Sequence, residues 1–250
     1  MAEKAKILEF KKKDKNEGKR FPFMENKTLF YIIIFIVLLL IAALIYINRG
    51  KFSPVVNGKT LYTVGENTDP YYLNDNGTLA VVTNDALRGI SAEGKAKYAV
   101  EKSYSHPMAR SAGKYLLEYD LDGSGLCVYK NGYRITNYVA EKPIKLAKTN
   151  KSGYTAVVMS GNGYKEKVVI LDSKGEEIYE WFLSESYVLD IDIAPSCNKF
   201  AASVVSTDTS MAQGSILFID INREKITNTV KRNDSIFPAL QYIKNNYVLI

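Results

Sequence analysis

The sequence holds a single histidine, a single tryptophan and two cysteines in 250 residues. With no CxxC pair and no Cys/His cluster, there is no zinc site to propose. His106, in "SYSHPMARS", has neither a GxSxG elbow nor a placed Cys or Asp partner near it, so it reads as a loop or packing residue and not as a general base. Cys127 falls in an apolar stretch and Cys197 in a polar turn, half a repeat out of step, which argues for two unpaired thiols. A phosphate-cradling glycine loop is also missing.

Charge is lacking where a nucleic-acid binder would need it. The net charge is +6, but residues 1–51 carry 11 Lys and Arg against 5 Asp and Glu, and residues 52–250 carry 22 of each. The excess belongs wholly to the N-terminal segment, and a neutral main domain has no electrostatic footprint for a phosphate backbone.

Between Lys27 and Arg49 no charge occurs at all, in "TLFYIIIFIVLLLIAALIYIN". About twenty apolar residues at 1.5 Å rise match the ~30 Å hydrocarbon core of a bilayer, so residues 28–48 are expected to form a transmembrane helix. Phe30, Tyr31 and Tyr46 stand at its ends, where aromatic side chains favour the headgroup level. The following "IYINRGKFSP" offers no small-residue cleavage site, so the segment reads as an uncleaved signal-anchor. Lys11, Lys12, Lys13, Lys15, Lys19, Arg20 and Lys27 precede it, against Arg49, Lys51 and Lys59 after it. The positive-inside bias then places residues 1–27, a basic and disordered tail, in the cytoplasm, with a linker at 49–54 and a domain at 55–250 outside the cell membrane. The tail's lysines are explained as a topology signal, although contact with anionic lipid fits them too.

Beyond residue 52, helical periodicity gives way to period-2 alternation and Asn-Gly turns at 57–58, 76–77, 131–132 and 162–163. Eighteen tyrosines in the chain suit pleated, half-buried surfaces. Three stretches share one design of strand, short polar turn and strand: "GLCVYKNGYRITNYV" (125–139), "VVILDSKGEEIYEW" (168–181) and "SILFIDINREKITNTV" (215–230). Polar turns that precede a new apolar strand recur at Gly77, Gly113, Gly153, Asn198 and Asn246, which are 36, 40, 45 and 48 residues apart. That spacing is expected of four-stranded β-propeller blades, in which no sheet covers its own faces and stacking buries them. The expectation is an all-β propeller of four recognisable four-stranded blades plus part of another. The third blade is read as "YTAVVMS", "KVVILDS", "EIYEWFL" and "YVLDIDIAP", and the three shared hairpins as blade middles. A β-sandwich competes, without a reason for the four-strand super-period. Because "NYVLI" begins a further strand set at the end of the sequence, the ring is expected to be incomplete.

The stretch "DIDIAPSCNKFAASVV" resembles the strand–turn–strand step between blades of WD-repeat and quinoprotein-like propellers, although Trp181 is followed by Phe182 and not by Asp. Together with the basic tail and single anchor, residues 20–250 resemble bacterial membrane-anchored propellers catalogued as a domain of unknown function. The resemblance implies fold and topology and carries over no functional residue.

Two places carry candidate chemistry. In "DLDGSGLCVYKN" (120–131), Asp120, Asp122 and Ser124 match the opening of a calcium loop, but Asn131 stands where a bidentate carboxylate belongs and the flanks read as strands; an Asp/Gly-rich turn explains the same residues. The paired acids of "YDLD" and "LDID" share a strand face, as catalytic carboxylates do, and as hydrogen-bonded structural acids do more often. "STDTSMAQGS" (206–215) reads as a long exposed loop. The functional expectation is a non-catalytic binding or scaffold module for an envelope protein or polymer. The alternative is an enzyme or ligand sensor with its site in the central channel, with calcium as an optional ligand.

Overall fold

The computed structural model describes residues 27–52, 63, 71–206 and 213–250. The basic tail before Lys27, most of the segment 53–70 and the loop core 207–212 lie outside the described residues. The chain divides into two units, residues 1–59 and 60–250.

In the first unit one helix, α1, runs from Lys27 to Phe52. Its apolar residues include no proline, and Gly50 falls only at its end. At 1.5 Å per residue it is roughly 39 Å long. Tyr31, Phe35, Leu38 and Leu44 are exposed, so the helix has no polar face over this stretch. Its side chains are described without interruption only from Phe30 to Leu44, short of the ~20 residues a bilayer requires. Among the described residues no helix is therefore long and apolar enough to cross a membrane, and the ends of the expected span 28–48 lie outside the described side chains.

The second unit is all-β, a succession of antiparallel four-stranded sheets. The first sheet comprises β1 (Tyr71–Asp75), β2 (Thr78–Val82), β3 (Ala86–Ile90) and β4 (Ala96–Glu101). The second comprises β5 (Pro107–Ala112), β6 (Tyr115–Asp120), β7 (Gly125–Lys130) and β8 (Tyr133–Val139). The third holds β9 (Ile144–Thr149), β10 (Thr155–Ser160), β11 (Glu166–Leu171) and β12 (Glu177–Leu183). The fourth holds β13 (Ser186–Ile193), β14 (Lys199–Ser206), β15 (Gln213–Asp220) and β16 (Lys225–Arg232). A two-stranded sheet follows, β17 (Gln241–Lys244) with β18 (Tyr247–Leu249).

Turn chemistry sets the register. Asp75 pairs with Thr78 across Asn76 and Gly77, and Lys130 pairs with Tyr133 across Asn131 and Gly132. All four turn residues have positive φ, the two-residue turn whose twist matches that of the flanking strands. The five repeat markers Gly77, Gly113, Gly153, Asn198 and Asn246 all fall between the first and second strands of their sheets. The repeat alignment therefore marks equivalent places in five successive units.

Within the third unit the structure shifts the expected phase by one strand. Ile144–Thr149, "IKLAKT", is the first strand of that sheet, and "SYVLDIDI" opens the next one by pairing with β14. Two lysines blur the alternation of β9, and only Ser184 and Glu185 separate β12 from β13, so sequence alone joins strands that share no ladder. For the same reason the three shared hairpins are not blade middles: β7–β8, β11–β12 and β15–β16 are third-and-fourth-strand pairs. Within the four-stranded sheets the fourth strands β4, β8, β12 and β16 are largely exposed.

Apolar layers join each sheet to its neighbour. Val82 and Leu87 meet Leu116 and Tyr129 between sheets one and two. Leu117, Tyr119 and Leu126 meet Ile144, Val157 and Val169 between two and three. Val158 and Ile170 meet Ile191, Phe200 and Ile219 between three and four. Ala201 and Ile216 meet Leu240 and Tyr242 at the fifth. Full burial of each large aliphatic side chain contributes about 1.5–3 kcal/mol, so these layers are the main cohesion of the stack. First strands touch in sequence, β1 with β5, β5 with β9, β9 with β13 and β13 with β17, which gathers one edge of every sheet around a common axis. This is the blade arrangement of a β-propeller.

Candidate functional site: the axial cleft

Gathering the first strands creates a cleft of about 870 Å³, lined from all five units by Leu73, Arg110, Lys148, Asn150, Asp190, Asp192, Ile193, Leu240, Tyr242 and Ile250, among others. The alternation of β13 decides its chemistry. Asp190 and Asp192 point to one side, where Lys148 of β9 donates to Asp190, with Nζ 3.1 Å from Oδ2. The Leu240 N–H donates to the same oxygen at 2.8 Å, the Tyr242 N–H donates to Asp192 Oδ2 at 2.7 Å, and Lys148 Nζ donates to the Leu240 carbonyl at 2.8 Å. The "LDID" acids thus hold the start of β17 through the backbone of Leu240 and Tyr242, as hydrogen-bonded structural acids do. Burial holds Asp192 above the usual carboxylate range even though the Tyr242 N–H and Lys148 pull the other way. Tyr242 is pushed up to about 12 by burial and by the neighbouring Asp192 charge, and its buried hydroxyl has no hydrogen-bond partner among the described residues.

Asn150 at the end of β9 accepts the N–H groups of Ser152 and Tyr154 and donates to the Ala194 carbonyl, joining the first hairpins of sheets three and four. Arg110 on β5 is exposed at the cleft, as are Ile243 and Ile250. Lys148, Asn150 and Arg110 carry no local sequence signal, because the lysines of β9 mask its alternation; only the common phase of the five first strands points to all three.

The candidates of the "DLDGSG" turn lie elsewhere, between β6 and β7. Asp120 Oδ1 accepts the His106 backbone N–H at 2.7 Å. Asp122, with φ +62°, accepts from Lys145 Nζ at 2.6 Å, and this hydrogen bond and charge hold its carboxyl below the usual range. The Ser124 carbonyl accepts from the Ala140 N–H. Among the described residues, no three His, Cys, Asp or Glu side chains converge as metal ligands. His106 is exposed just before β5. Both cysteines are free. Cys127 is buried in β7 beside Tyr104 and Asn137, and Cys197 sits in the β13–β14 turn with Asn150 against its Sγ.

Five stacked antiparallel units with their first strands around a cleft define a propeller-type β protein. The chain belongs to a family of unknown function (DUF5711), whose sequence profile matches residues 54–250. No curated protein matches the chain. Solved structures similar to it include BBS1N in complex with ARL6DN, at 11% identity and a TM-score of 0.49, over 72% of this chain and 60% of that one. The dihydro-heme d1 dehydrogenase NirN in complex with DHE is similar at 14% identity and 0.48, over 72% and 42%. The hydrazine synthase of Kuenenia stuttgartiensis is similar at 15% identity and 0.47, over 67% and 49%. The chain spans about half the length of these last two.

Proposed function

We propose that this chain is a membrane-anchored binding module without catalytic activity of its own, whose propeller domain docks an envelope protein or polymer outside the cell membrane. The observation that carries the reading is the use of the cleft's central charged groups: Lys148, Asp190 and Asp192 hold the backbone of Leu240, just before β17, and of Tyr242 within it. Groups committed to structure in this way are not free to move protons, whereas an acid–base site requires one that is. Around them Arg110, Ile243 and Ile250 remain exposed, a mixed charged and apolar rim of the kind that anchors protein contacts.

Anchoring is supported by the uncharged run from Thr28 to Asn48 within α1 and by the lysine excess before it. The test uses the full chain in its native membrane, with a photo-crosslinking residue placed at Ile243 in one variant and at Phe182, on exposed β12, in another. A discrete adduct at position 243 that disappears on Arg110→Glu, with none at 182, is the expected result. Protease added to intact cells should digest the β domain and spare the tail. Equal adducts at both positions, or a tail digested while the domain survives, would overturn the reading.

A further inference from the structure

A second, smaller cavity, of about 370 Å³, opens where the Asn76-Gly77 and Asn131-Gly132 turns of sheets one and two approach each other. We propose that this pocket is a saccharide-binding site, taking one unit of a neutral, polyhydroxylated sugar. The proposal rests on the binding-module reading and narrows its polymer to a glycan.

The pocket is built rather than incidental. Asp75 closes β1 and is 4% exposed. The Tyr98 hydroxyl donates to its Oδ2 at 2.9 Å, which leaves the carboxylate further lone pairs to accept with. Tyr98 can deliver that hydroxyl because two glycines make room for its ring. A Cβ on Gly132 would lie 2.5 Å from the ring, and one on Gly89 would overlap it outright. Lys97 is likewise held, donating from Nζ to Thr78 Oγ1 at 3.0 Å with two further protons to offer. Tyr133 stands at the rim with 79% of its surface exposed, a large aromatic face that serves no core.

Ligand chemistry follows by elimination. An anion would meet the Asp75 carboxylate, a cation would meet Lys97, and an apolar molecule would desolvate both without replacing their hydrogen bonds. A sugar hydroxyl both donates and accepts, so one hydroxyl can donate to the Asp75 carboxylate while its neighbour accepts from Lys97. The C–H face of the ring can then stack on Tyr133. Burial, which raises the Asp75 carboxyl above its ordinary range, also strengthens any hydrogen bond it accepts. The volume lies at the low end for ligand pockets, about 300–1,000 Å³, and suits a short saccharide unit.

The experiment is saturation-transfer NMR on the full chain in lipid nanodiscs, with maltotriose, xylotriose and the N-acetylglucosamine trisaccharide as probes. At least one should receive magnetisation. Asp75→Asn, which keeps shape but removes charge, and Tyr133→Ala, at an exposed position, should each weaken it at least tenfold. Tyr133→Phe should restore binding, and the unfolding midpoint of Tyr133→Ala should match that of the parent. Transfer to none of the three, binding that survives both substitutions, or displacement of the sugar by inorganic phosphate overturns the proposal. Any of these results alongside an intact crosslink at position 243 sinks the saccharide site while leaving the docking module standing.

Discussion

Between sheets one and two, an ion pair is buried against apolar surroundings. Lys102 Nζ lies 2.7 Å from Glu118 Oε1, and their side chains are 8% and 0% exposed. The Tyr129 hydroxyl donates to the other Glu118 oxygen at 3.3 Å, and the ammonium lies 4.5 Å from the Tyr104 ring centre. Despite this company, burial holds the Glu118 carboxyl above the usual glutamate range. Removal from water costs the charged form more than Lys102 returns. Lys102→Met should therefore destabilise the domain by about 3–5 kcal/mol, because it leaves Glu118 unpaired inside the stack. Replacing both members, as Lys102→Met with Glu118→Leu, should recover most of that loss, less about 1 kcal/mol for the Tyr129 hydrogen bond.

The loss should also depend on pH. A carboxyl whose folded pKa exceeds its unfolded value binds its proton more tightly when folded, so its contribution is fully present below the unfolded value, about 4.3, and is lost as pH rises through the folded one. Without Lys102 that folded value climbs further. The Lys102→Met deficit should then shrink on acidification from pH 7 towards 5, at up to about 1.4 kcal/mol per pH unit. Urea unfolding of the full chain in nanodiscs, followed by the fluorescence of Trp181 and by far-UV circular dichroism, measures each term. A single-variant loss below about 1 kcal/mol, or a double variant as unstable as Lys102→Met alone, would refute the reasoning.

Two further outcomes are expected. Asp192→Ala should leave the Tyr242 N–H without its acceptor, at a cost of about 1–3 kcal/mol, and hydrogen exchange should accelerate at Leu240 and Tyr242 while the Val157 and Val169 amides of sheet three stay protected. Millimolar calcium should leave the melting temperature within experimental error of that in chelator, since Asp122 is held by Lys145 and Asp120 by the His106 N–H; a reproducible rise abolished by Asp122→Asn would reinstate the calcium loop.

Local chemistry alone determined a good deal of this protein. An Asn-Gly pair between alternating strands favours a tight two-residue turn, so the hairpins at 76–77 and 131–132 and the recurrence of five equivalent turns could be read directly, whereas Asn162 and Gly163 fall in the longer loop between β10 and β11. The apolar run of α1 needed only its length and its lack of charge. Tertiary structure decided the phase of the strands, because β12 and β13 are almost contiguous in sequence and only lateral pairing assigns them to different sheets. It also decided what the acids do: Asp192 looks the same in sequence whether it faces solvent, a substrate or the Tyr242 N–H fifty residues away. The Asp75 pocket was legible least of all. Its members come from β1, β2, β4, β8 and the turns that join β1 to β2 and β7 to β8, and what unites them is a tyrosine ring fitted between Gly89 and Gly132. Spacing along a chain records which residues share a strand face; the meeting of strands from different sheets depends on how the sheets stack, and no local pattern encodes it.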